Sequence, residues 1–248
     1  MTGPGNYLEA NGTSHYYETH GSGQPVLVLH GGFETVDMLP DLTRDLARQY
    51  QVVAFERQGH GRTADAEGPI TYDAMAEDAV AFMEARDITN AHVVGYSDGA
   101  NIGMLMAMGR PELVQRLVLA SGNFSPAGMT RQFLVGMRQA TADGFEPRFA
   151  EAYRRLSPDG PGHWPVVFEK LRRMMLEEPN ILREQLGCIQ SPTLVLAGDH
   201  DFVEVEHTVD LYRAIPEARL CIVPGGSHGL LTEQPEVCNR AILDFLAG

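Results

Sequence analysis

Six short apolar runs, at 26–29, 52–55, 92–94, 117–120, 194–197 and 220–223, constrain this chain more than any other feature. A strand with one wet face alternates apolar and polar residues with period two. These runs barely alternate, so they read as strands buried on both sides, as in a parallel sheet covered by helices. The segments between them carry apolar residues at helical spacing: 37–49, 72–86, 99–109, 203–215 and 235–246. In the second of these, Met75, Ala79, Phe82 and Met83 form the stripe that packs a helix onto a sheet. Pro235 suits a first helical turn. Ahead of the first run, 7–10 and 13–19 flank Asn11-Gly12, a type I′ turn signal that predicts an antiparallel hairpin at one edge. The expected fold class is α/β, a mostly parallel central sheet with helices on both faces.

One stretch breaks the rhythm. Between Asn123 and Ile189 there is no buried-strand run, only helical patterns at 129–140, 145–156 and 163–178 around Ser157-Pro158-Asp159-Gly160-Pro161-Gly162. A structureless loop of that length is improbable in a compact domain, so the segment is expected to fold as an inserted helical cap. This divides the chain into a core formed by 1–122 and 190–248 and a cap at 123–189. The cap brings Met129, Phe133, Met137, Trp164, Phe168, Met174 and Met175, soft and aromatic side chains suited to packing and to an apolar pocket.

Length and composition fit one soluble domain: 248 residues, 44% hydrophobic and 21% charged. The net charge of −14 disfavours nucleic acid and anionic lipid surfaces as partners. Cys188, Cys221 and Cys238 are odd in number and widely spaced, which argues against a disulfide framework or a zinc cage. No histidine pair has zinc spacing, so no metal is expected. The polar stretch 1–11 lacks the basic and apolar regions of a secretory signal, and no apolar run approaches bilayer length. The chain reads as cytoplasmic, and nothing in it specifies an oligomeric state.

Gly95-Tyr96-Ser97-Asp98-Gly99 follows the strand at 92–94 and precedes a helical pattern, the context in which G-x-S-x-G carries meaning. The turn is sharp and tolerates no bulk two positions to either side of Ser97. A serine hydroxyl is a poor nucleophile until a base takes its proton, so a histidine and an orienting carboxylate should lie elsewhere in the chain.

Taken with Gly198-Asp199-His200-Asp201 after one strand and Gly226-Ser227-His228 after the next, the elbow resembles the α/β-hydrolase family, whose order is Ser, Asp, His. His30-Gly31-Gly32-Phe33 and Glu56-Arg57-Gln58-Gly59-His60-Gly61-Arg62-Thr63 extend the resemblance nearly end to end. Glu56 stands where the family's D-x-R-G-x-G-x-S loop has Asp, and Gln58 where it has Arg. The resemblance implies the α/β-hydrolase fold, Ser97 as nucleophile, His228 as base and Asp201, fourth in a G-x-x-D turn, as the orienting acid. Asp199 is the alternative acid. His30 reads as a strand-end residue bonded to backbone, His60 and Arg62 as loop stabilisers, and His207 as an exposed helical residue. The oxyanion donors would be the backbone N–H of Asp98 and that of Gly32, with Phe33 as the alternative to Gly32.

Asp98 has two readings: a carboxylate that attracts an amine-bearing substrate, as its elbow's likeness to valacyclovir-hydrolase-like members implies, or a cap for the helix starting at Gly99. Phe33, Asp98, Met129 and Trp164 are the candidate substrate contacts. The expected activity is hydrolysis of a small ester or lactone through an acyl-enzyme, with no cofactor. C–C bond hydrolase, thioesterase, amidase and cofactor-free haloperoxidase chemistry remain alternatives on the same triad. A non-hydrolytic lyase or a ligand-binding receptor would be a different class.

Overall fold

The computed structural model describes residues 5–248; the first four residues of the polar stretch 1–11 lie outside it. Asn11, with φ of 49°, and Gly12, with φ of 78°, turn the chain between β1 (Asn6–Ala10) and β2 (Thr13–Gly21). Two positive φ values in succession are what a type I′ hairpin requires. The remaining strands are β3 (Pro25–Leu29), β4 (Gln51–Phe55), β5 (Ala91–Tyr96), β6 (Val114–Ala120), β7 (Thr193–His200) and β8 (Ala218–Ser227). They form one eight-stranded sheet in the order β1-β2-β4-β3-β5-β6-β7-β8. The β1–β2 and β2–β4 pairs are antiparallel and every other pair is parallel.

The lack of alternation in the apolar runs now has its physical reason. Successive side chains of a strand point to opposite faces. Here Leu27, Leu29, Val53, Phe55, Val93, Leu117, Leu119 and Val195 enter one core, and Val26, Val28, Val52, Ala54, Val94, Val118, Leu194 and Leu196 enter another. The first core is covered by α2 (Tyr72–Ala85), α3 (Asp98–Gly109) and α7 (Val205–Ala214), the second by α1 (Pro40–Leu46), α8 (Leu230–Glu233) and α9 (Pro235–Ala247). Three positions differ from the sequence reading. The run at 220–223 is not buried on both sides, because β8 is an edge strand of the sheet: Leu220 is exposed, Cys221 and Ile222 are half-buried, and only Val223 is buried. The pattern at 37–49 splits into a 3-10 turn at Val36–Met38 and α1, because Pro40 cannot donate to a preceding turn and instead starts a new helix. The third helix starts at Asp98 rather than Gly99.

Between β6 and β7 the chain forms α4 (Arg131–Gln139), α5 (Pro147–Leu156) and α6 (Trp164–Glu177), with 3-10 turns and no strand. The fold is thus an α/β sheet with helices on both faces and an inserted helical cap. The cap's apolar side chains join the first core: Phe149, Tyr153, Trp164, Val167, Phe168, Leu171 and Met174 are all buried there. The cap is stitched to the chain after β7 by backbone. Thr130 N–H donates to Phe202 O at 2.7 Å, Glu204 N–H donates to Gly128 O at 2.8 Å, and Met129 bridges Val203.

Candidate active site

Ser97 lies between the end of β5 and the start of α3 with φ of 54° and ψ of −119°, a conformation that L-residues rarely adopt. Such strain costs about 1–3 kcal/mol and persists only where the surroundings enforce it. They do: Ser97 N–H donates to Ala120 O on β6 at 2.8 Å. Gly95 and Gly99 let helix and strand meet, since a Cβ on Gly95 would lie 2.2 Å from Gly99 O and one on Gly99 2.1 Å from Leu29 O. The bend lifts the Ser97 hydroxyl above the C-terminal ends of the strands.

Asp201 and His228 follow β7 and β8 and come to the same place. His228 Nε2 is 2.9 Å from Ser97 Oγ, and His228 Nδ1 is 2.7 Å from Asp201 Oδ1. An ionised carboxylate only accepts hydrogen bonds, so Nδ1 carries the ring proton and Nε2 is free to accept from the serine. Burial works against charge on Asp201, but His228, the Ser121 hydroxyl and the Val203 N–H outweigh it and hold this carboxyl below its ordinary value. Asp199 lies elsewhere: its carboxylate accepts from Gly225 N–H at 2.6 Å and ties the two strand ends together.

The loop carrying His228 is braced from three sides. Tyr96 OH donates to His228 O at 2.9 Å, Ser227 Oγ donates to Glu233 at 2.7 Å, and the Phe202 ring stacks on the imidazole with centroids 3.7 Å apart and planes 23° from parallel. None of these three partners was evident in the sequence. Tyr96 and Phe202 adjoin Ser97 and Asp201 in the chain, and that adjacency is the one signal that could have pointed to them.

Opposite Ser97, the His30-Gly31-Gly32-Phe33 turn is held from both sides. The buried Arg57 guanidinium donates to His30 O at 2.7 Å and Gly31 O at 3.1 Å, while Gly31 N–H donates to Glu34 Oε2 at 2.9 Å. Burial pushes the Glu34 carboxyl up to about 7, against the pull of the Gly31 amide, His228, Arg148 and Arg57. His30 and His60 pack ring to ring with centroids 5.1 Å apart, each bonding a backbone carbonyl, and burial keeps both uncharged. Arg62 reaches Glu56 at 2.7 Å and Asp37 at 2.6 Å, so the substituted loop makes its own ion pairs.

Asp98 does not cap its helix. One carboxylate oxygen accepts from Tyr72 OH at 2.7 Å, and the other has no partner and faces Gly32, where a Cβ would come within 2.3 Å of it. The group is 3% exposed. Burial raises its pKa, while Tyr72, Arg57 and His228 pull the other way.

A cavity of about 480 Å³ opens over these residues. Gly32, Phe33, Glu34, Ser97 and His228 line it from the core, and Phe133, Met137, Phe145, Arg148, Phe149 and Met175 from the cap and its approaches. A second small cavity of about 20 Å³ lies beside it, lined by Ser97, Asp98 and Met129 among others. Trp164 is not in the lining. Its Nε1–H donates to Ala142 O at 2.8 Å, and its ring is buried against Phe33, Tyr153 and Phe168, so it consolidates the cap. His207 is not the exposed residue expected either. It stacks on Phe124 with centroids 3.9 Å apart, accepts from Phe124 N–H at 3.2 Å, and burial takes it down to about 4. Among the described residues no three His, Cys, Asp or Glu side chains could jointly hold a metal ion, and no helix is long and apolar enough to cross a membrane.

Sheet order, serine elbow and histidine loop together define an α/β hydrolase, and the chain belongs to the alpha/beta hydrolase family, whose model matches residues 26–241. It is 29% identical to the "Putative carbamate hydrolase RutD" of Azorhizobium caulinodans, over 96% of this chain and 97% of that protein. It is 26% identical to the serine hydrolase BPHL of Mus musculus, over 96% of this chain and 85% of that one. Among solved structures it resembles a serine hydrolase involved in carbazole degradation, the CarC enzyme, with a TM-score of 0.83 and 27% identity, covering 100% of this chain and 99% of that one. Family membership supports a hydrolytic role on a small molecule.

Proposed function

We propose that this protein is a serine hydrolase that cleaves a small carboxylic ester or lactone through an acyl-enzyme. The observation that carries the reading is the unbroken chain of hydrogen bonds from Asp201 through His228 to Ser97 at the floor of the cavity. As the Ser97 oxygen attacks the carbonyl carbon, its proton passes to His228 Nε2, and Asp201 stabilises the imidazolium that forms. The tetrahedral oxyanion is held by the N–H of Asp98, and by that of Gly32 or Phe33 across the cavity. Collapse expels the alcohol, which takes the proton from His228. Water then repeats the sequence and frees the acid and Ser97.

Carbamates are a second reading, favoured by the 29% identity to the RutD relative along nearly the whole chain. The same attack at a carbamoyl carbon would leave a carbamoyl-enzyme.

The test is steady-state turnover of a panel of p-nitrophenyl esters, lactones, carbamates and amino-acid esters. Wild type is run beside Ser97→Ala and His228→Ala. Each substitution is expected to lower kcat by at least about 10⁴-fold. Amino-acid esters set against neutral esters of equal size read whether Asp98 selects cations. Equal rates for wild type and both variants on every member would reject the serine hydrolase reading.

A further inference from the structure

We propose that Phe202 is a positioning residue for the catalytic imidazole, and that Phe133 couples it to the cap. The three rings form one continuous stack. Phe133 of α4 lies on Phe202 with centroids 3.8 Å apart and planes at 14°, and Phe202 lies on His228 with centroids 3.7 Å apart and planes at 23°. The backbone follows the same route: Phe202 O accepts from Thr130 N–H, and Thr130 Oγ1 in turn accepts from Phe133 N–H at 3.3 Å. On the other side, Asp201 Oδ1 accepts from both His228 Nδ1 and Val203 N–H, so acid, base and stacked ring share one short segment.

A ring covering one face of the imidazole does two things. It fixes the plane in which Nδ1 meets Asp201 and Nε2 meets Ser97, so that a tilt of the base is resisted by packing as well as by two hydrogen bonds. It also offers a π-face to the positive charge that the imidazole carries only after taking the serine proton, an attraction stronger for the cation than for the neutral ring. An interaction realised in the transition state and absent in the ground state raises kcat and leaves substrate affinity alone. Because Phe202 is itself clamped by α4, the seating of the cap becomes part of the geometry of the base.

This inference rests on His228 acting as the general base, and the experiment separates the two. Phe202→Leu keeps the bulk and removes the ring face, Phe202→Tyr keeps the face, and Phe133→Leu removes the outer ring alone. They are assayed with p-nitrophenyl esters of increasing acyl length, beside Ser97→Ala and His228→Ala. Phe202→Leu is expected to lower kcat about tenfold with KM within about twofold, by the same factor for every acyl length. Phe202→Tyr should restore the rate, and Phe133→Leu should lower kcat about threefold. A loss that appears in KM and grows with acyl length would mean that Phe202 only contacts substrate, and would overturn the proposal. Unchanged kcat in Phe202→Leu, with Ser97→Ala and His228→Ala inactive, would overturn it and leave the hydrolase reading standing. Full activity in His228→Ala would remove its foundation. Thermal melts of the variants identify any that fail to fold. For Phe202→Leu in that event, kcat of Phe133→Leu decides, and no change there overturns the proposal.

Discussion

Glu34 is the carboxyl whose environment makes the sharpest quantitative claim on stability. It is 8% exposed, accepts from the Gly31 amide, and burial raises it from an ordinary 4.5 to about 7. The folded chain therefore binds this proton more tightly than the unfolded chain does. The associated stability is full below about 4.5 and is lost as the pH rises through about 7. At about 1.4 kcal/mol per pH unit, that displacement amounts to about 3 kcal/mol of penalty once the carboxylate is ionised. Glu34→Gln keeps the shape and the acceptor for Gly31 while removing the charge. Its stability relative to wild type is expected to be near zero at pH 4.5 and to rise by up to about 3 kcal/mol by pH 8. Urea unfolding of both proteins at half-unit steps of pH measures this directly. A difference that stays flat from pH 4.5 to 8 would refute the claim that burial of this carboxyl governs its protonation.

Other substitutions test the frame around the site. Arg62→Met strips the buried Glu56 of its charged partner and should cost about 3 kcal/mol at pH 8 by chemical denaturation. Because burial lifts Glu56 to about 7, the deficit should shrink at pH 5, where that carboxyl is neutral. Gly99→Ala places a methyl against the Leu29 carbonyl, which is fixed in the sheet, and should lower stability by more than about 3 kcal/mol. An unchanged denaturation midpoint would show that helix and strand can separate there without loss.

What could be read from the sequence was what depends on neighbours in the chain. The doubly buried strands follow from runs such as Val52-Val53-Ala54-Phe55, because each residue of the run enters one core or the other. The Ser97 elbow is equally local: a pentapeptide between a strand and a helix. Contacts made across long stretches of chain were not legible from the residues themselves; that Ser97, Asp201 and His228 meet was implied only by the family resemblance. Tyr72 reaching Asp98 spans 26 residues, and Tyr96 reaching the His228 carbonyl spans 132. Of the two readings of Asp98, the cap fails because the phenol that claims its oxygen sits on another helix. His207 was misread as exposed because its helix pattern does not reveal that Phe124 and Gly128, at the entry to the cap, close over its ring. Trp164 shows the complementary limit: periodicity marks it as apolar-facing but does not say whether that face meets the cavity or the rest of the cap.

The connection from β6 to β7 has an implication for how such a chain could be altered. These strands are direct neighbours, Leu117 opposite Thr193, yet residues 121–192 intervene and supply the cap side of the cavity, from Phe133 to Met175. The entropy of closing a loop grows only with the logarithm of its length, at about 0.6 kcal/mol per doubling. A long excursion between these two strands is therefore thermodynamically cheap, provided that it folds on itself. Residues in this excursion can be exchanged, shortened or extended while the paired strands keep their register, and the Ser97 elbow and the His228 loop stay on the part left untouched. What must travel with any such exchange is the fastening at 128–130, where the roof is joined to the segment that carries Asp201 and Phe202. A grafted roof that lacks this joint would cover the cavity without gripping the acid and its stacked ring.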